Sequence, residues 1–136
     1  MIFAVTDFWA PFMAAYSEIS KVSERATGEH AFTVEVRRGK AIVDAVAQVL
    51  GEEGVLERFV WSSLPSFREL SAGKYTFVYH FDAKAEVAGY LKEKRELWER
   101  SSLLNMGFYT TNLKGMASVL GVVKVSTHGS LECSFD

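Results

Sequence analysis

The sequence contains three short apolar runs that predict β-strands. They are Met1–Val5, the centre of Glu57–Pro65, and Ser102–Met106. The second is the clearest, because it runs through Phe, Val and Trp into Ser62 and Ser63 and is bounded by glycine before and proline after. Runs of this length and composition are typical of buried parallel strands. We therefore predict three parallel strands, and ligands of such sheets collect beyond the carboxyl ends of the strands.

The segment between the first two strands predicts a long amphipathic helix. From about Phe32 to Leu50, apolar residues recur three or four positions apart, with charged residues between them. Gly51 then offers the left-handed residue that commonly closes a helix. Gly39 lies inside the helix, where glycine costs about 1 kcal/mol relative to alanine. Close packing against the sheet explains this glycine, although a local irregularity of the helix would give the same pattern.

A second helix is predicted from Ala83 to about Lys94, with Asp82 as its cap and Lys84 on its polar side. Strands alternating with long helices indicate an α/β fold with crossover helices. The remaining segments are predicted to be irregular. They are an aromatic loop at Phe8–Phe12, a polar segment with about one helical turn at Tyr16–Glu29, and an extended loop at Ser66–Tyr79. The aromatic loop is either a lid on the core or a wall beside a flat ring.

Composition narrows the classes of function. A chain of 136 residues with net charge −2 forms one domain and has no electrostatic basis for binding nucleic acid or an anionic membrane. The single Cys133 excludes an internal disulfide, and His30 and His128 lack metal-ligand spacing. No apolar run reaches about 18 residues, so we expect a soluble cytoplasmic protein. The chain opens directly inside a strand-like run, which suggests that a segment is missing on the amino-terminal side.

Five separated motifs together resemble the NmrA-like proteins, a family of atypical short-chain dehydrogenases. They occur in the family's order and are Val5–Trp9, Gly39–Ala45, Phe59–Pro65, His80–Val87 and Gly107–Tyr109. The resemblance covers residues 1–113 and leaves 114–136 as a divergent tail. It implies a partial, three-layer Rossmann-like unit with a short parallel sheet of about three strands that binds NADP(H). No glycine-rich phosphate turn occurs in the sequence, so the resemblance points to the second half of a dinucleotide domain.

The resemblance also implies a site. Lys84 matches the lysine of the Tyr-x-x-x-Lys pair of short-chain dehydrogenases, and His80 stands where the tyrosine would be, so the two would be catalytic. A second pair with this spacing, Tyr90 and Lys94, lies deeper in the helix and is discounted. Leu64 falls where a catalytic hydroxyl is expected. The cofactor-binding residues implied are Thr6, Ser62, Ser63, Lys84, Gly107, Phe108 and Tyr109.

The alternative is that these residues have no functional role. Lys84 would then be a solvated helix lysine, His80 a loop residue hydrogen-bonded to the backbone, and the remaining implied cofactor-binding residues ordinary turn residues. Three hypotheses of function follow: an NmrA-type NAD(P)-linked oxidoreductase-like protein with impaired or absent catalysis, a non-catalytic NADP-sensing or protein-binding module, and a truncated remnant without cofactor. We also expect self-association through the unpaired edge of the Met1–Val5 strand.

Overall fold

The computed structural model describes residues 1–21, 23–107, 122–124 and 131–133, in two compact units, Met1–Asn105 and Met106–Asp136. The first unit contains three strands, β1 (Ile2–Ala4), β2 (Phe59–Ser63) and β3 (Ser101–Asn105). Its helices are α1 (Trp9–Ile19), α2 (Glu24–Glu53), α3 (Phe67–Leu70), α4 (Tyr79–Glu93) and α5 (Arg95–Glu99). In the second unit, β4 (Val122–Lys124) pairs antiparallel with β5 (Leu131–Cys133).

The sheet of the first unit is parallel, in the order β1-β2-β3. In the central register, Trp61 of β2 lies between Ala4 of β1 and Leu103 of β3. The predicted α/β fold with a three-stranded parallel sheet is therefore confirmed, and each strand falls within two residues of its expected bounds.

The core lies between one face of this sheet and the helices. Phe59 and Trp61 are fully buried on the central strand, where they meet apolar side chains of three helices: Val43, Val46 and Leu50 of α2, Val87, Ala88 and Leu91 of α4, and Leu97 of α5. Burial of one such large side chain contributes about 1.5–3 kcal/mol. On the opposite face, the side chain of Phe3 is 55% exposed.

α2 begins earlier than predicted, and the irregular excursion expected before it is wrong. Ser23 caps the helix, because its hydroxyl accepts a hydrogen bond from the amide of Ala26 at 3.4 Å. Gly28 does not break the helix. Its lack of a side chain makes room for the ring of Tyr79, since a Cβ at this position would lie 2.5 Å from Cδ2 of that ring.

The end of α2 also differs from the prediction. The helix continues through Gly51, and Gly54 supplies the left-handed residue at φ +64°. The expected close packing at Gly39 is confirmed, because a Cβ there would lie 2.5 Å from Val87 and 3.3 Å from Trp61. Glycine therefore lets α2 approach α4 and the sheet.

The aromatic stretch after β1 is a helix, so the loop predicted there is wrong. One carboxylate oxygen of Asp7 accepts from the amides of Trp9 at 2.8 Å and Ala10 at 3.3 Å, which satisfies donors at the start of α1. Pro11 falls in the first turn, where the missing amide hydrogen has no cost.

α4 begins at Tyr79, and two predictions for this helix are wrong. Asp82 is not a cap but lies inside the first turn, where it accepts from the Ser66 hydroxyl at 3.0 Å and the Arg68 amide at 3.1 Å. It thereby ties α3, which interrupts the predicted extended loop, to α4. Lys84 does not lie on a polar side, because it is buried and only 7% exposed.

Candidate functional site

A buried cluster forms where β1 ends and α4 passes above it. The Lys84 ammonium donates to the backbone carbonyl of Thr6 at 2.7 Å and to the hydroxyl of Thr6 at 3.2 Å. The structure thus brings together two of the residues expected at the cofactor, from positions far apart in sequence. The reading of Lys84 as a solvated lysine is wrong, since both side chains are buried.

Glu35 of α2 completes the cluster. Its Oε1 lies 2.9 Å from Nζ of Lys84 and accepts the hydroxyl hydrogen of Thr6 at 2.6 Å. Glu35 is 0% exposed, so its charge depends on these partners for stabilisation. Its second oxygen, Oε2, has no hydrogen-bond partner among the described residues.

Glu35 was not among the predicted site residues, although the sequence carries a signal for its burial. Ala31, Glu35, Gly39 and Val43 follow one another at intervals of four, and all four are buried on the face of α2 that meets the core. A carboxylate inside such a stripe must have a partner in a folded protein. Here the partner is Lys84, which is equally embedded in the buried face of α4.

The ammonium group of Lys84 is fully committed in this arrangement. An ammonium has three hydrogens, and the three acceptors within reach are the carbonyl and hydroxyl of Thr6 and one oxygen of Glu35. A ligand that binds Lys84 must therefore take the place of one of them. The contact to the Thr6 hydroxyl is the longest of the three.

His80 lies one helical turn before Lys84, on α4 rather than in a loop. Its ring packs against aromatic rings of Phe8, Trp9 and Phe81, with centroids 5.7, 5.3 and 4.7 Å away. Burial lowers the pKa of His80 below its ordinary value of 6.5, although the charge of Glu35 acts in the opposite direction. The neutral imidazole is therefore the favoured form near neutral pH.

One side of His80 faces an aromatic cavity of about 400 Å³. The start of α1, the first turns of α2 and the start of α4 enclose it, and its lining is Phe8, Trp9, Phe12, Glu24, Arg25, Gly28, Phe77, Tyr79 and His80. The interpretation of the aromatic stretch as a lid agrees with the burial of Phe8, and the wall beside a flat ring stays a prediction. Phe8 is buried as a lid on the core, whereas Trp9 is 54% exposed and forms cavity wall.

The serines after the central strand occupy a different place. Ser62 and Ser63 are buried, and Ser63 lines a groove of about 830 Å³ that runs along α4 and includes Leu64 and Asp82. His80 is not part of that lining. Gly107 belongs to the second unit, and the predicted site residues Phe108 and Tyr109 lie outside the described residues.

The discounted pair on α4 forms a surface cluster. The hydroxyl of Tyr90 donates to Asp44 at 2.7 Å, and Lys94 lies 2.8 Å from the same oxygen. The hydrogen bond to Asp44 raises the pKa of Lys94 above its ordinary range. The cluster joins α4 to α2 on the outside of the molecule.

Comparison with known proteins gives one match. A model of the NmrA-like family matches residues 13–132. No curated protein and no solved structure matches the chain. None of the helices in the described part of the chain is long and apolar enough to cross a membrane.

Proposed function

Because the chain belongs to the NmrA-like family, we propose that it is an NAD(P)-linked, oxidoreductase-like protein. The carboxyl ends of β1 and β2 would receive the nicotinamide half of the dinucleotide. The observation that carries this proposal is the buried contact between Lys84 and Thr6 at the end of β1, because open α/β sheets bind ligands at the carboxyl ends of their strands.

The chemistry of the cluster fits the ribose of such a cofactor. Ribose hydroxyls accept hydrogen bonds, and the cluster offers a charged donor in Lys84. Lys84 would exchange its longest contact, to the Thr6 hydroxyl, for the ligand. In the proposal, Ser62 and Ser63, which the family resemblance assigns to the cofactor, extend the binding surface at the carboxyl end of β2.

A nicotinamide dinucleotide, when bound, supplies hydride transfer. The chain's own contribution would be proton transfer at a ring nitrogen of His80, which is favoured as the neutral base by the lowered pKa. The aromatic cavity beside His80 would hold the apolar part of a substrate, shielded from water by Phe8 and Phe12.

A second candidate is a non-catalytic module that senses NADP(H). The observation in its favour is the saturation of the Lys84 ammonium by internal acceptors. Such a lysine is well suited to report the arrival of a ligand through exchange of partners. It is less well suited to lower the pKa of a neighbouring proton donor during turnover.

Titration with NADPH and NADH, followed by fluorescence, tests the proposal. We expect Lys84→Met to weaken binding by about tenfold or more, since it removes a charged hydrogen bond. Lys40→Met is the matched control, because Lys40 forms an exposed ion pair with Glu86 at 3.0 Å between the same two helices. Its affinity should equal that of the wild type.

Turnover separates the candidates. Reduction of NADP⁺ by a series of alcohol and hydroquinone donors, in which His80 takes up the proton of the substrate hydroxyl, would support the oxidoreductase if His80→Phe loses turnover but keeps binding. Binding without turnover would support the sensing module. Absence of binding for both dinucleotides would contradict both and leave a chain without a cofactor.

A further inference from the structure

Glu35 holds two partners with a single oxygen. Oε1 accepts from the Thr6 hydroxyl at 2.6 Å and lies 2.9 Å from the Lys84 ammonium. Nothing in the family resemblance gave this residue a role. We propose that Glu35 is the positioning residue for Lys84: it fixes the ammonium at the end of β1 and determines which acceptor a ligand replaces.

The direction of the Thr6 hydroxyl follows from Glu35. Because this hydroxyl donates its only hydrogen to the carboxylate, its oxygen turns lone pairs towards Lys84 and accepts at 3.2 Å. Glu35 therefore acts on the ammonium twice, once directly by charge and once through the orientation of Thr6. Replacing the carboxylate by a neutral group weakens both effects.

Lys84 needs such a guide because its side chain is long. Four methylene groups separate its ammonium from the backbone and give the group many rotamers. The two acceptors on Thr6 come from the segment after β1, whereas Glu35 comes from α2. The contact with Glu35 therefore ties the ammonium to α2 as well as to the segment after β1.

The inference rests on the proposed function where it concerns the dinucleotide, but the effect on Lys84 does not. In the ligand-bound protein, the charged contact to Glu35 at 2.9 Å and the carbonyl contact at 2.7 Å would remain. The ligand would displace the Thr6 hydroxyl. Glu35 thus keeps Lys84 within reach of the ligand rather than competing with it.

Acylation of lysines measures the position of Lys84 without any cofactor. The protein is treated briefly with an amine-reactive acetylating reagent, and the rate at each lysine is read by peptide mass spectrometry. In the wild type, Lys84 should react far more slowly than the exposed lysines. In Glu35→Gln its rate should rise about tenfold or more, because the ammonium loses its charged partner.

Glu86→Gln is the matched control, since it breaks the exposed pair with Lys40 between the same helices. It should leave the rate at Lys84 unchanged. A rise at every lysine in Glu35→Gln would indicate general loosening and overturn the inference, as would an unchanged rate at Lys84. If Glu35→Gln does not fold, Glu35→Asp keeps the charge but shortens the side chain, and the same rise, smaller in size, is required.

The NADPH titration forms the second arm. Glu35→Gln should weaken binding about tenfold, and Glu35→Asp should recover part of the loss. If the wild type does not bind NADPH, the proposed function fails while the acylation result still decides the role of Glu35. If NADPH binds equally well to Glu35→Gln, the positioning role towards the ligand is refuted.

Discussion

Replacing Lys84 by methionine should destabilise the fold strongly. Methionine keeps an apolar stem of similar length, so packing against α2 is largely preserved and the main change is the loss of the ammonium. Glu35 would then remain buried at 0% exposure with only the Thr6 hydroxyl as donor. Removing one partner of a buried ion pair costs about 3–5 kcal/mol.

That cost is a large part of the protein's stability, because the free energy of unfolding of single domains is about 5–15 kcal/mol. Removing both charges gives the contrasting result. In the double variant Glu35→Leu with Lys84→Met, neither charge of this pair remains, and apolar replacement of buried pairs is commonly neutral or stabilising by about 1–4 kcal/mol. We therefore expect the double variant to be more stable than the single variant.

Urea unfolding followed by circular dichroism and by the fluorescence of buried Trp61 gives the free energies. Lys40→Met serves as the control, since its ion pair with Glu86 is exposed and should change stability by no more than about 1 kcal/mol. If Lys84→Met costs less than about 1 kcal/mol, or if the double variant is as unstable as the single one, Lys84 does not compensate the charge of Glu35.

Three further predictions concern packing, pH and association. Gly39→Ala should destabilise by about 1–3 kcal/mol because the new methyl meets Val87, whereas Gly51→Ala, which meets nothing within 4 Å, should stabilise by up to about 1 kcal/mol; thermal unfolding of both checks this. The pKa of His80 is lowered in the fold, so the unfolded chain takes up this proton first as the pH falls below about 6.5. The wild type should therefore lose stability towards about pH 5 relative to His80→Phe, as urea titrations at each pH would show. Parallel pH dependences of the two stabilities would contradict this prediction. Phe3→Lys should reduce self-association through the edge of β1 in size-exclusion chromatography, and a wild type that stays monomeric at every concentration would disprove the expectation.

The strands could be predicted from the sequence because their signal is local. Phe59–Ser63 is a compact run that begins with strand-forming residues, and four of its five residues are buried on the central strand. Ile2–Ala4 is a similar short apolar run, although Phe3 is exposed on the face away from the core. Single residues at their ends, such as Ser63 and Asn105, moved by only one or two positions between expectation and structure.

The starts of α1 and α2 are harder to predict than the strands, because residues typical of loops lie inside both helices. Pro11 and Gly28 are ordinary loop markers, yet one lies in a first turn and the other makes room for a ring. The informative residues are Asp7 and Ser23, which lie just before the two helices and whose side chains accept hydrogen bonds from backbone amides at the helix starts. A capping side chain before an ambiguous segment therefore indicates a helix more reliably than a glycine or proline inside the segment argues against one.

The site was half predictable. The family resemblance pointed to Lys84 and Thr6, and the structure brings them together. It gave no indication of Glu35, because the pairing of this residue depends on how α2 and α4 cross above the end of β1. The burial of Lys84 was missed for the same reason, since a lysine on a helix is usually solvated.

The length of α2 has a mechanical consequence. Its 30 residues extend about 45 Å, whereas strands of three to five residues span about 10–17 Å. The part of α2 before Glu35 is about 16 Å long and carries Arg25, which lines the aromatic cavity. Glu35 lies one turn from the close crossing at Gly39, so a substitution that shifts α2 at Gly39 should also shift the carboxylate that holds Lys84.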